Sequence, residues 1–362
     1  MKVYINGRFL CQTVTGVQRA ALETLKALDR LVAEGDQLVA SLALTVLVPR
    51  SARPAPDLLQ IPVRRVGILQ GHAWEQLELP LYSRSGVLVS LANAAPVVRQ
   101  RQCVTIHDAA VFAVPNAYSP AYRAWYRMLL PALGQRANRI LTDSHFSRGE
   151  LVRHAGIREG NIRVVPLGCE HILASPSDES ILTDHGLTRG QFVLAVSSHS
   201  PHKNLQALCD AAKLIDGRAL QIVVAGGANV RVFGPLAASW GDQVKLLGYV
   251  SDGQLRALYS HAACFAYPSL YEGFGLPPLE AMACGCPVVV SNAASLPEVC
   301  GEAAVYCDPR DPSDLARSIT RVTEDNELQL TLRSRGLQRA GTFTWERSAR
   351  ALIEALPEGQ AA

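Results

Sequence analysis

The stretch ACFAYPSLYEGFGLPPLEAMACGCPVVV, residues 263–290, decides how this chain is read. It opens on a short apolar run, 263–267, with the length and composition of a buried strand. A loop follows in which Gly273 and Gly275 flank Phe274. Pro277 and Pro278 then open a helical stretch, 277–284, at positions where a fixed φ and a missing N–H are tolerated. A second apolar run, 287–290, closes the segment. Strand, loop, helix and strand at this spacing form the repeat of a parallel sheet covered on both faces.

The same alternation extends outward. Upstream lie strand-like runs at 191–196, 221–225 and 244–247, with helical stretches at 205–215 and 252–261. Downstream, 314–322 reads as a further helix. The N-terminal half shows apolar runs at 3–5, 41–48, 86–91, 104–106 and 139–141, and an amphipathic stretch at 17–31. Each half therefore reads as a doubly wound α/β domain. Turn-forming residues cluster in ASPSDES and LTDHGLTRG, which places the boundary between Gly168 and Gly190. The expected organisation is a Rossmann-like domain over 1–170, a second over 171–344, and a closing helix and tail over 345–362. Two such domains facing each other leave a cleft at their strand ends, where sheets of this kind bind ligands.

Composition narrows the classes. The 362 residues are 48% apolar and 19% charged, enough for two cores. A net charge of +3 argues against a general nucleic-acid binder, so nucleic acid is not an expected partner. The nine cysteines are scattered and odd in number, with no CxxC pair. They read as reduced, buried, small apolar residues of a cytoplasmic protein. No leader-like segment opens the chain, and no window approaches the ~18 apolar residues of a membrane span. The segment 122–130 is aromatic and basic, with Arg99, Arg101, Arg136 and Arg139 nearby in sequence. It fits either a core-facing helix or a peripheral contact with an anionic membrane or a lipid acceptor.

The chemistry concentrates where the strand at 263–267 ends. Glycines let a backbone approach a ligand closely, and a helix start offers N–H groups to a phosphate or diphosphate. Glu272 precedes the glycine loop, and Glu280 lies about one turn into the helix. A carboxylate beside an anion site suits hydroxyl recognition, as in a sugar or a ribose. After the strand at 191–196, the loop SSHSPHKN carries Lys203 near a helix start, a cation whose cost against the helix dipole suggests an anion. His107 and Asp108 follow the run at 104–106, which puts them at a strand end. His107 is placed to hydrogen-bond a ligand in the crevice, and Asp108 to orient that ring or to bind the hydroxyls of an acceptor. His72, His145, His154 and His171 read as ordinary polar or core residues.

The run Glu272-Gly-Phe-Gly-Leu-Pro-Pro-Leu-Glu280, with the AMACGCPVVVSNAASLPEVCGEAA that follows it, resembles the E-x7-E motif of the retaining family 4 glycosyltransferases. That resemblance implies the GT-B fold and a nucleotide-sugar donor held by the C-terminal domain. It implies Glu272 on the donor sugar, Glu280 on the ribose, and the backbone of Gly273, Phe274, Gly275 and Leu276 around the diphosphate. Lys203 matches the family's diphosphate lysine. His202 stands where the family usually has arginine, so charge neutralisation rests more on Lys203, with His202 adding charge only when protonated. Ser198 in the same loop, Gly16 in the first loop and Val250 near the nucleobase complete the expected donor contacts.

The expected activity is retaining transfer of a sugar to a glycan or polyprenol-linked acceptor in surface polysaccharide synthesis. GDP-mannose is the first choice of donor, with UDP- and dTDP-sugars open. No DxD-like cluster is evident, so neither a metal nor another cofactor is expected. His107, Glu272 and Lys203 are the expected catalytic residues. The alternatives are a nucleotide-sugar epimerase of the same fold and an inactive sugar-nucleotide-binding homologue.

Overall fold

The computed structural model describes residues 1–52, 58–197, 200–215, 220–226 and 244–357. The chain forms two compact units, one of residues 1–168 together with 344–362 and one of residues 169–343.

The first unit is built on seven strands: β1 (Lys2–Asn6), β2 (Ala43–Pro49), β3 (Val63–Val66), β4 (Val87–Ser90), β5 (Gln102–Thr105), β6 (Arg139–Thr142) and β7 (Ile162–Val164). Their order is β3-β2-β1-β4-β5-β6-β7, with every pair parallel. β4 and β5 are buried at every residue, as in strands covered on both faces. The helix Gly16–Ala33 buries Ala20, Ala21, Leu25, Leu28 and Leu31, a stripe at helical spacing.

The helix Trp345–Glu354 packs against Gly16–Ala33 and buries Ala349, Leu352 and Ile353. A Cβ on Gly168 would lie 2.2 Å from the Trp345 backbone nitrogen, so only glycine permits this approach. Residues 345–354 therefore complete the core of the first unit and are not a segment apart. In the helix Pro120–Arg136, Tyr126, Leu129, Leu130 and Leu133 join Val104, Ile106 and Ile140 in the core. The stretch read at 122–130 is thus amphipathic: Tyr126, Leu129 and Leu130 are buried and Trp125 packs against them, while Tyr122, Ala124, Arg127 and Met128 are exposed.

The second unit carries β8 (Phe192–Val196), β9 (Gln221–Ala225), β10 (Val244–Gly248), β11 (Cys264–Tyr267), β12 (Val288–Ser291) and β13 (Ala304–Cys307). Their order is β10-β9-β8-β11-β12-β13, again all parallel. Val193, Val224, Cys264, Val289 and Ile319 are among its core residues. All nine cysteines are free, and seven are buried. Among the described residues no helix is long and apolar enough to cross a membrane.

Each sheet reverses its strand order once, between β1 and β4 in the first unit and between β8 and β11 in the second. Loops leaving the carboxyl ends at such a switch point diverge and open a crevice. The location of the site in each unit follows from this reversal.

Candidate active site

In the second unit, the loop after β8 brings Lys203 and the loop after β11 brings Glu272, so both residues arise at the switch point. The Lys203 ammonium lies 2.7 and 2.9 Å from the two carboxylate oxygens of Glu272 and 2.8 Å from the Tyr267 hydroxyl. Both charged side chains are largely buried, at 18% and 11% exposed. Burial alone would lower the Lys203 pKa, but Glu272 and Tyr267 outweigh it and hold the ammonium above its ordinary value. The two residues expected on opposite parts of a donor are therefore bonded to each other.

The two loops are stitched together. Asn204 adopts a left-handed conformation, φ 56°, which asparagine tolerates better than most residues. Its amide donates to the carbonyls of Pro268 and Pro309, at 3.0 and 2.6 Å. The Leu270 N–H donates to the His202 carbonyl at 2.7 Å. Burial, with Lys203 beside it, lowers the His202 pKa although Glu272 opposes. The His202 Nδ1 finds no hydrogen-bond partner among the described residues. Ser198 lies outside the described residues.

The glycine loop is shaped from beneath. The Ser295 hydroxyl donates to the carbonyls of Glu272 and Phe274, at 3.0 and 2.7 Å. Because a trans peptide is planar, the N–H groups of Gly273 and Gly275 then point away from Ser295. Gly275 has φ 110°, a conformation that favours glycine, and a Cβ there would lie 2.7 Å from Leu296 Cδ2, so that side chain would have to shift. The helix Leu276–Ala283 follows. Pro277 and Pro278 remove two of the N–H groups a helix start ordinarily offers. The amides of Phe274, Gly275 and Leu276 remain, with no hydrogen bond among the described residues. The N–H groups left without a partner at this switch point thus belong to the loop more than to the helix. The Phe274 ring packs edge-on against Phe343.

Glu280 is buried, 7% exposed. Its Oε1 lies 3.0 Å from His171 Nε2, and its Oε2 accepts from the Tyr259 hydroxyl at 3.1 Å. Each oxygen keeps a further lone pair for another donor. His171, read as an ordinary polar or core residue, is buried and pairs with Glu280. Neither His171 nor Tyr259 carries a local motif, which is why the sequence did not single them out. Val250 follows β10, just before Ser251 caps the helix Asp252–His261.

In the first unit, His107 Nδ1 is 2.7 Å from Asp143 Oδ2, and Nε2 is 3.1 Å from the Leu91 carbonyl. Asp143, and not Asp108, orients the ring. Asp108 instead accepts from the Ala110 N–H at 2.8 Å. Both ring nitrogens of His107 face oxygen acceptors, so the ring is satisfied only as the doubly protonated cation. Asp143 also lines a cavity of ≈ 20 Å³ with Thr24, Thr105 and Ser348, room for about one water molecule.

A Cβ on Gly16 would meet nothing within 4 Å, so the protein's own packing does not require glycine there. At the β1–β4 switch point stands a cluster the sequence did not reveal. Glu75 accepts from Asn6 at 2.8 Å and from Arg8 at 3.0 Å, and it pairs with His72 at 3.1 Å. Burial would raise the Glu75 pKa, but His72, Arg8 and Asn6 outweigh it and lower it.

Comparison with known proteins agrees with this architecture. A family model described as "Glycosyl transferases group 1" matches residues 179–339, and one described as "Glycosyltransferase Family 4" matches residues 82–172. The chain is 34% identical over 279 residues to O-antigen chain mannosyltransferase B of Escherichia coli, covering 71% of this chain and 70% of that protein. It is 31% identical over 248 residues to the serotype-specific mannosyltransferase WbdA of Escherichia coli, covering 65% of this chain and 30% of that longer protein. Among solved structures, sucrose-phosphate synthase from Thermosynechococcus elongatus shares the fold. The TM-score is 0.74 at 21% identity, over 97% of this chain and 96% of that one. The chain belongs to glycosyltransferase family 4, whose members have the GT-B fold, and it is a glycosyltransferase.

Proposed function

We propose that this enzyme transfers a mannosyl residue from a nucleotide-mannose, GDP-mannose in the first instance, to a growing surface polysaccharide with retention of anomeric configuration. The single observation that carries the reading is the convergence of Lys203, Glu272 and the amides of Phe274 to Leu276 at one switch point. A cation and aligned N–H groups stabilise the negative charge that builds on a departing diphosphate. Glu272 accepts hydrogen bonds from the hydroxyls of the transferred sugar, and Glu280 from those of the ribose. The choice of mannose rests on the similarity to proteins named as mannosyltransferases. Lys203 and the amides supply the positive field that a metal ion supplies in other transferases, so transfer proceeds without a metal.

The test is incubation with GDP-mannose, UDP-sugars and dTDP-sugars in the presence of oligomannose and polyprenol-linked glycan primers. Products are read by mass spectrometry and their linkage configuration by NMR. A mannosylated primer with the configuration of the donor is expected. An isomerised donor with no extended primer would instead identify an epimerase, and inverted linkages would overturn the retaining mechanism.

A further inference from the structure

Lys203 has three N–H groups to give, and three oxygens surround it: both of Glu272 and the hydroxyl of Tyr267. A diphosphate oxygen can bond this ammonium only by taking the place of one of them. The two partners differ in their freedom to leave. Tyr267 ends β11 at 3% exposure, its ring stacked on Phe265 at 5.7 Å and lying under the Lys203 ammonium at 5.3 Å. Its hydroxyl is neutral and feels no repulsion from a phosphate. Glu272 stands on the glycine loop and is an anion, so an arriving diphosphate repels it.

We propose that Lys203 is an exchange site, in which the donor diphosphate displaces Glu272 from the ammonium and thereby frees that carboxylate for the donor sugar, while Tyr267 holds Lys203 in position throughout. Tyr267 is thus a positioning residue. The inference rests on the proposed donor site and adds an order to its assembly. The sugar-binding carboxylate becomes available only once a diphosphate is in place. No bond other than hydrogen bonds and ion pairs is made or broken in the exchange.

The test is equilibrium binding of GDP and UDP by calorimetry, with guanosine and uridine as controls. Wild type binding neither diphosphate would overturn the donor site itself, and the exchange with it. Given binding, Glu272→Gln, which loosens the hold on Lys203, is expected to tighten the diphosphate by roughly tenfold, the size of one charge-assisted hydrogen bond. Nucleoside affinity stays unchanged. Glu272→Asp keeps the charge but shortens the reach, and is also expected to tighten binding. If Glu272→Asp binds like wild type while Glu272→Gln binds tighter, simple repulsion explains the gain and the exchange is wrong. Unchanged affinity in both variants also rejects it. For Tyr267→Phe, the loss in diphosphate affinity is expected to be larger in the Glu272→Gln background than in wild type, because only there is Lys203 left with no other anchor. Equal losses would reduce Tyr267 to a packing residue.

Discussion

Nδ1 of His107 lies 2.7 Å from Asp143 Oδ2, and the opposite nitrogen of the same ring faces a backbone carbonyl. Burial would lower the histidine pKa. Asp143, with Asp108 and the Leu91 carbonyl, outweighs burial and raises it. A folded value above the unfolded one means the contribution to stability is fully present below the unfolded pKa of about 6.5. It is lost as pH climbs through the raised folded value. Urea unfolding of wild type across that window is expected to show the loss. Asp143→Asn is expected to cost about 3 kcal/mol, as when one partner leaves a buried pair, and to flatten the pH dependence. A variant that keeps the wild-type slope would rule out His107 as its source.

Glu272→Gln is expected to lower kcat/KM for transfer by roughly 10²-fold, the size of a lost charge-assisted contact in the transition state. The thermal midpoint is expected to fall as well, because one partner leaves a buried ion pair, so rates are compared below the midpoint of both proteins. Wild-type turnover in this variant would remove Glu272 from the site.

Glu280 is held from both sides, by His171 and Tyr259. Tyr259→Phe and His171→Gln are each expected to raise KM for the donor by roughly tenfold, about one hydrogen bond, and to leave kcat nearly unchanged. The reverse split, with kcat falling at constant KM, would show that Glu280 acts on the reacting sugar and not on the ribose.

Gly275→Ala places a side chain at φ 110° and against Leu296. The expected cost is about 3 kcal/mol from strain and overlap together, with nucleotide diphosphate binding lost. A variant as stable as wild type would mean that the loop can reshape without penalty.

Transfer is expected to persist in excess chelator, with no gain on adding Mg²⁺ or Mn²⁺. Activity abolished by chelator and restored by one of these ions would show that Lys203 and the loop amides do not suffice.

The interior of both sheets was legible in the sequence because strands covered on both faces appear as unbroken apolar runs. The strands missed were β3, β7 and β13, and each lies at a sheet edge. β3 exposes Arg64 and Arg65, β7 exposes Arg163, and β13 is only partly covered, so none shows a continuous apolar run. The placement of Lys203, Glu272 and the glycine loop at strand ends was legible, because each follows an apolar strand run. Their pairing was not, because 69 residues separate them and only the strand order brings the two loops together. The pairing of His107 was misread for a geometric reason. Asp108 instead accepts from the Ala110 N–H in the turn that follows. Thr105 pairs with Leu141 across β5 and β6, and two residues further along both chains stand His107 and Asp143.

The helix Trp345–Glu354, locked against Gly168, also sets the timetable of synthesis. The second unit is a single uninterrupted stretch, whereas the first is made of the two ends of the chain. As the polypeptide leaves the ribosome, the later-encoded unit has all its residues available first. The earlier-encoded one waits, with the face of Gly16–Ala33 uncovered, until residues 345–354 have been made. Emergence of residues 345–354, and not of the first 168, is then the event that allows the N-terminal core to close.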